Sequence, residues 1–192
     1  MPTILTRLVS KMTKKQKFPG ELSDQQLTER IIRVDHAGEY GAARIYDGQL
    51  EVLKDTPSGP IIKKMALQEK QHLDYFDKLV VERRVRPTVL SPLWHVAGYA
   101  LGVFSAKLGE EAAMTCTVAV ESVIDEHYLK QINALGEHET DLREKLTEFR
   151  RDEIDHRDTA AAHVQKDSME LKTLGTVIRS ATRTAIWLSE KF

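Results

Sequence analysis

The chain has 192 residues, 41% hydrophobic and 30% charged, which is enough for one domain with a sizeable core. Its 28 lysines and arginines nearly balance 29 aspartates and glutamates, so the formal net charge is −1. This balance argues against a nucleic-acid-binding protein that relies on bulk positive charge. A single cysteine, Cys116, excludes an internal disulfide, a zinc knuckle and an iron–sulfur cluster. Charges interrupt every apolar stretch before about 18 residues, so we expect no simple transmembrane helix.

Residues 1–20 differ in composition from the rest of the chain. They contain five basic residues and no acidic residue, with serine and threonine between them. Ile4, Leu5, Leu8 and Met12 would share one face of a helix. This basic, hydroxylated and amphipathic composition is typical of an organelle transit peptide, although a solvated basic tail has similar content. We expect a basic targeting or flexible segment over 1–20 and a single domain over 21–192.

The remainder of the chain shows strong helical periodicity and weak strand signals. Ser23 or Asp24 is a suitable N-cap for the first helix, and the prolines and glycine of 57–60 separate it from the second. The predicted segments are long helices over about 24–54, 60–84, 110–135 and 139–163, followed by a weakly amphipathic segment over 171–192.

The four long helices form two pairs, and roughly 25 residues connect one pair to the other. Helices of about 25 residues span close to 40 Å, so joining two antiparallel hairpins into one bundle requires a connection of that reach. This organisation predicts an all-α fold, namely a ferritin-like four-helix bundle with one long crossover, plus short additional helices.

Six polar residues interrupt the apolar faces of these helices. The first and third helices each carry a lone glutamate there, and the second and fourth each carry a Glu-x-x-His motif. The six residues are Glu39, Glu69, His72, Glu121, Glu153 and His156. The lone glutamate precedes the first residue of its motif by 30 positions in one half and by 32 in the other, so the two halves repeat the same order.

This pattern predicts a site for two metal ions. Residues i and i+3 face the same side of a helix, so each motif presents a carboxylate and an imidazole together. Four carboxylates in a dry core would repel one another, whereas two divalent cations would neutralise them. An oxygen-rich set with two imidazoles and no thiolate favours iron or manganese over structural zinc. Solvated faces are the alternative, but the same faces carry Met65, Phe76, Val118 and Phe149.

Four further polar residues lie near these positions in the sequence. Asp35 and Asp125 are each one turn from a lone glutamate, and either could accept the second N–H of a ligand histidine or be an ordinary surface charge. Tyr128 shares the inward face of Glu121, and His127 lies beside it. The sequence contains no glycine-rich nucleotide-binding loop, so electrons for oxygen chemistry would come from outside the fold.

Three runs of residues resemble the demethoxyubiquinone monooxygenases, a family of di-iron enzymes of coenzyme Q biosynthesis. The runs are RVDHAGEYGAARIY at 33–46, AMTCTVAVE at 113–121 and RDEIDH at 151–156. The likeness extends from about residue 29 to the C-terminus, and the six residues fall on the iron-ligand positions of the family. One departure is Arg157, which stands where many relatives carry a second histidine outside the ligand set.

The resemblance implies hydroxylation of the ring of a demethoxy-quinol with O2, in the penultimate step to ubiquinone. It implies two iron ions, a polyprenyl quinone substrate and NADH as the external reductant, with His127 and Tyr128 near the quinone pocket to assist electron delivery. It also implies a peripheral location on the matrix face of the mitochondrial inner membrane and a lipid-binding partner protein of the coenzyme Q assembly. Whether the chain forms a homo-oligomer stays open.

Two apolar segments, 93–104 and 178–188, are candidates for membrane contact, quinone entrance and docking of the partner protein. The simpler alternative is that they only cap the bundle. For the whole chain, one alternative function is a ferritin-like iron-handling protein, which the apolar segment 93–104 disfavours. Another is a structural member of the coenzyme Q assembly, which the complete set of six ligands disfavours.

Overall fold

The computed structural model describes residues 21–165 and 168–192, so the basic segment 1–20 lies outside the described residues. The described part of the chain contains six α-helices, one 3-10 turn and no β-strand, and the predicted all-α class is confirmed. The helices are α1 (Asp24–Leu53), α2 (Gly59–Glu82), α3 (Ser91–Lys107), α4 (Glu110–Ala134), α5 (Thr140–Ala162) and α6 (Met169–Lys191). The 3-10 turn, Glu137–Glu139, leads into α5.

The six helices form two similar halves. Helices α1 and α2 pack as one hairpin and α4 and α5 as another, while α3 packs along α1 and α6 along α4. The long crossover that connects the two hairpins therefore contains α3. This agrees with the prediction that the connection must extend along the length of the bundle. Helix α6 has 23 residues, as many as α5, so the expected short additional helix at the C-terminus is in fact a full-length one.

Local sequence signals explain where the first two helices begin. Ser23 caps α1, because its Oγ accepts a hydrogen bond from the Gln26 N–H at 3.1 Å and the Gln26 side chain accepts one from the Ser23 N–H at 2.9 Å. At the start of α2, the N–H and hydroxyl of Ser58 donate to Glu110 Oε2 at 2.9 and 2.5 Å. Because Glu110 opens α4, this contact ties the two hairpins together at one end.

Two apolar clusters fill the bundle on either side of its middle. One cluster joins the N-terminal part of α1 to the last turns of α2 and the first turns of α5, and it contains Ile32, Phe76, Leu142, Leu146 and Phe149. The other joins the opposite ends of the helices, and it contains Tyr46, Ile62, Met65, Met114 and Ala160. Along the four long helices, the six predicted ligand residues lie between these two clusters.

The crossover helix lies unusually close to α1. A Cβ atom added to Gly102 would stand 2.0 Å from the Ile45 carbonyl oxygen, and one added to Gly48 would stand 2.3 Å from the Tyr99 carbonyl oxygen. Only glycine permits the two backbones to approach this closely. These glycines therefore fix the position of α3 against the bundle.

We predict that Gly102→Ala lowers the free energy of unfolding by about 1–3 kcal/mol, because the new methyl group must push α3 away from α1. Urea unfolding followed by circular dichroism measures the change. Gly38→Ala is the matched control, since a Cβ there meets no atom within 4 Å and alanine is the better helix former. Equal effects of the two substitutions would contradict the close helix contact.

Candidate metal centre

The structure brings all six predicted ligand residues together in the middle of the bundle. Each of the four long helices contributes, α1 and α4 with one glutamate each and α2 and α5 with one Glu-x-x-His motif each. Their side chains are all buried, and no residue of the six is more than 3% exposed. The residues are Glu39, Glu69, His72, Glu121, Glu153 and His156.

The cluster divides into two adjacent groups of four residues. In each group, one potential ligand atom per residue lies within 4.8 Å of the others. One group contains Glu39 and His72, the other contains Glu121 and His156, and both contain Glu69 and Glu153. Two cations held by these groups would share the carboxylates of Glu69 and Glu153, which we call the bridging glutamates.

Within the described residues, six buried atoms of this cluster make no hydrogen bond of favourable geometry, and they pair only loosely with one another, as histidine–carboxylate contacts of 3.0–3.5 Å. They are Glu39 Oε2, Glu69 Oε1, both carboxylate oxygens of Glu153, and the Nδ1 atoms of His72 and His156. Burying such atoms without a well-formed hydrogen bond is costly, and here they come together from three helices, α1, α2 and α5. Two divalent cations would satisfy all of them, so the residues present fit a di-metal centre.

The electrostatics of the cluster show the same need for positive charge. Burial raises the pKa of Glu69 to about 8, and the nearby Glu153 carboxylate adds to this rise. Burial by itself would lower the pKa of His72, but the Glu153 and Glu39 carboxylates, 3.1 and 3.5 Å from its Nδ1, outweigh this effect and raise the pKa to about 12. In the absence of a cation, protons therefore supply the positive charge, and metal ions would have to displace them.

Both histidines of the cluster make a second contact through Nε2, the ring nitrogen that points away from the cluster. His72 Nε2 lies 3.1 Å from Asp152 Oδ2, and His156 Nε2 lies 3.3 Å from Gln68 Oε1. Such contacts fix the orientation of a ligand imidazole and its donor nitrogen. Sequence reasoning missed both residues, although a shared signal exists: each immediately precedes a bridging glutamate.

The two aspartates expected in this role contact other residues in the described part of the chain. Asp35 accepts a hydrogen bond from Gln131 Nε2 at 2.6 Å, and Asp125 accepts one from Arg150 Nε at 2.6 Å and one from Arg157 at 2.9 Å. These aspartates cannot reach the histidines because the Nε2 atoms of His72 and His156 point toward the contact between α2 and α5. Asp35 lies on α1 and Asp125 on α4. Asp152 and Gln68 take the predicted place of these aspartates.

Two buried tyrosines hold the lone glutamates. The Tyr46 hydroxyl of α1 donates to Glu121 Oε1 of α4 at 2.8 Å, and the Tyr128 hydroxyl of α4 donates to Glu39 Oε1 of α1. Burial raises the pKa of both tyrosines well above the ordinary value, so both remain protonated donors. Each tyrosine follows the lone glutamate of its own helix by seven positions, and this spacing places them as a reciprocal pair.

His127 lies further from the cluster than Tyr128. Its Nε2 is 2.8 Å from the Gln131 amide nitrogen, which also donates to Asp35. Burial, together with the charges of Lys130 and Arg30, lowers the pKa of His127 to about 4. The imidazole is therefore neutral near pH 7 and can accept a hydrogen bond from the Gln131 amide.

An apolar cavity of about 180 Å³ lies between α1, α3, α4 and α6. Its lining includes Gly38 and Val120, which precede Glu39 and Glu121 in the chain, but none of the six residues of the cluster. Trp94 of α3 lines the cavity and donates to Ser189 of α6 at 3.1 Å, which links the two outer helices. Other lining residues are Gly41, Ala42, Leu101, Ile124, Ala185 and Ile186.

The outer surfaces of α3 and α6 expose large apolar side chains. Leu93, Val96 and Phe104 of α3 are 52%, 65% and 56% exposed, and Val177 and Trp187 of α6 are also exposed. Within the described residues, every helix is too short or too polar to span a bilayer. This apolar surface therefore flanks the cavity without forming a membrane-spanning segment.

Two helical hairpins with a buried layer of four glutamates and two histidines place the protein in the ferritin-like class of helical bundles. Residues 26–189 match the family model described as "Ubiquinone biosynthesis protein COQ7". The chain belongs to this family, and the prediction from the sequence motifs is confirmed.

Curated relatives resemble the chain over most of their lengths. A Dictyostelium discoideum protein, "NADPH-dependent 3-demethoxyubiquinone 3-hydroxylase, mitochondrial", is 47% identical over 98% of this chain and 86% of its own length. A Rhodospirillum rubrum protein, "3-demethoxyubiquinol 3-hydroxylase", is 46% identical over 93% and 85%. A human protein with the same name as the Dictyostelium one is 50% identical over 85% and 77%. The names of the two eukaryotic relatives thus specify NADPH.

We predict that the bridging and lone glutamates differ in how many cations their loss removes. Glu153→Gln should abolish binding of both cations, because this residue belongs to both groups, whereas Glu121→Gln should remove one. Metal content per chain, measured by elemental analysis after loading with Fe(II) without oxygen, tests this. Two cations retained by Glu153→Gln would contradict the shared-ligand geometry.

Proposed function

We propose that this chain is a di-iron monooxygenase that hydroxylates the ring of a demethoxyubiquinone or its quinol with O2, in the penultimate step of ubiquinone biosynthesis. The observation that carries the proposal is the buried carboxylate–histidine cluster in a chain that belongs to the COQ7 family. An apolar cavity lined by the sequence neighbours of two cluster residues adds support. The names of its relatives state hydroxylation of 3-demethoxyubiquinone or its quinol for those proteins.

Two iron ions held by the six ligands would supply the activation of O2. The chain contributes four carboxylates whose charges match two divalent cations, and it contributes a layer from which the apolar clusters exclude water. Tyr46 and Tyr128 hold Glu121 and Glu39 at the two ends of the cluster. The ligand geometry is therefore preorganised by the protein before any substrate arrives.

The cavity supports a quinone ring as the substrate group. Its lining is apolar, and it includes Gly38 and Val120, the residues that precede Glu39 and Glu121 in the chain. Its volume of about 180 Å³ falls below the roughly 300 Å³ at the lower end of drug-sized sites, so it accommodates a ring and not a polyprenyl tail. The tail would leave between α3 and α6 and follow their apolar surface.

The proposal includes electron delivery through the quinone, with His127 and Tyr128 assisting. Tyr128 supports this role because it contacts the ligand Glu39 directly, and the neighbouring His127 is neutral and partly accessible. Asp35 belongs to this group through Gln131 rather than to the ligand histidines. We propose NADH as the external reductant. Because the names of the eukaryotic relatives specify NADPH, turnover with NADH should be compared with turnover with NADPH.

We further propose that the protein is a peripheral protein on the matrix face of the mitochondrial inner membrane. A polyprenyl quinone is insoluble in water, so the enzyme must meet it at a bilayer or through a carrier. The exposed apolar side chains of α3 and α6 would lie in the interface and would also dock a lipid-binding partner protein of the coenzyme Q assembly.

We predict that protein reconstituted with Fe(II) converts a short-tailed demethoxyubiquinone analogue to the hydroxylated quinol in the presence of O2 and NADH or NADPH. Mass spectrometry of the product with ¹⁸O2 measures the incorporated oxygen. Glu121→Gln should reduce turnover to background while the fold persists. Uptake of many iron ions per chain without hydroxylation would favour the ferritin-like iron-handling alternative. Absence of hydroxylation, with ubiquinone synthesis supported equally well by protein that binds no metal, would favour the structural alternative.

We predict that replacing Leu93, Val96 and Phe104 with Ser raises KM for a long-tailed quinone in liposomes by about tenfold or more, since three exposed apolar contacts with the bilayer are lost. Activity on a short-tailed analogue should be unchanged, because no ligand or cavity residue is altered. Flotation of liposomes measures membrane binding directly.

The matched control places serine at two exposed apolar positions of α2, Leu67 and Val81, which are 56% and 75% exposed. These residues lie on a helix that packs on α1 and α5, away from the proposed membrane face. The control should bind liposomes like the unaltered protein. Equal loss of binding in both variants would argue against a membrane surface specific to α3 and α6.

A further inference from the structure

The outer contacts of the two ligand histidines follow the internal repeat of the chain. Gln68 precedes the bridging Glu69 in one half and contacts His156 of the other half at 3.3 Å. Asp152 precedes the bridging Glu153 and contacts His72 of the first half at 3.1 Å. Each hairpin therefore supports the histidine of its partner from the same relative position.

This repeat is broken in one chemical respect. His72 is supported by a carboxylate, whereas His156 is supported by an uncharged amide. A carboxylate acceptor polarises the imidazole more strongly than an amide, and this makes the opposite nitrogen a better electron donor to a metal. The lone glutamates do not offset this difference between the two histidines, because Glu39 and Glu121 are in equivalent surroundings. Each accepts a hydrogen bond from a buried tyrosine hydroxyl.

We infer that the two cation positions are unequal and that Asp152 and Gln68 are the positioning residues that make them so. The position with Glu39 and His72 binds its cation more tightly and fills first, and the position with Glu121 and His156 fills second. This inference rests on the proposed di-metal function, and it assigns a distinct character to each metal within it.

The test is a calorimetric titration of the metal-free full-length protein with Co(II). Two ligand variants isolate the positions: Glu121→Gln leaves the one with His72, and Glu39→Gln leaves the one with His156. In the first background, Asp152→Asn should weaken Co(II) binding by about tenfold or more. In the second background, the same change should alter binding less than about twofold. The matched control is Asp155→Asn, which removes the same charge from an exposed position of α5.

The reciprocal substitution tests the other half. Gln68→Glu places a carboxylate against His156 without a change in side-chain length, and it should tighten the second position by about tenfold. Proton NMR of ¹⁵N-histidine-labelled, Zn(II)-loaded protein adds a signature that a merely structural role would not move. Asp152→Asn should shift only the His72 Nε2 proton, and Gln68→Glu should shift only that of His156.

The outcomes separate the inference from the proposed function. Two Co(II) ions bound with equal affinity, or equal weakening of both positions by Asp152→Asn, would overturn the inequality and leave the di-metal site intact. Failure of the unaltered protein to bind Co(II) would overturn the proposed function itself. If Asp152→Asn does not fold, Gln68→Glu decides, because no gain at the His156 position would overturn the inference.

Discussion

The mutual repulsion of four buried carboxylates is the constraint on which the rest of this structure depends. Burial removes the water that would screen them, so a bundle can hold Glu39, Glu69, Glu121 and Glu153 in one layer only if positive charge is supplied. The two apolar clusters on either side supply the packing free energy that keeps this layer closed. The cost of the polar layer is thus offset by its neighbours along the same helices.

The internal repeat distributes the site so that neither hairpin can form it alone. Tyr46 of the first half holds Glu121 of the second, and Tyr128 of the second half holds Glu39 of the first. Both bridging glutamates serve both groups of ligands. The hairpins must therefore dock in one register before the site exists, and the contact of Ser58 with Glu110 helps to set that register.

The sequence predicted the helices and the ligand cluster because both depend on spacing within a helix. Glu-x-x-His fixes which residues share a face, and the apolar stripe fixes which face turns inward. The outer contacts were not predictable in this way, because they depend on how neighbouring helices face each other. Asp35 and Asp125 lie one helical turn from a lone glutamate in the sequence, but their side chains do not reach the histidines. Asp152 and Gln68 do reach them, because their side chains point to the Nε2 atoms of the opposite hairpin. The close approach at Gly102 likewise depends on tertiary contact.

The crossover helix meets two opposing demands. Glycines hold one side of α3 tightly against α1, while a cavity remains between α1, α3, α4 and α6. Because α3 is held firmly on α1, a cavity on its other side does not prevent α3 from packing on the bundle. On the outer side of this cavity, the hydrogen bond from Trp94 to Ser189 links α3 to α6, and one such bond is a modest interaction. Under the proposed function, a hydrophobic substrate that enters between α3 and α6 would break this hydrogen bond and leave the glycine contacts of α3 with α1 in place.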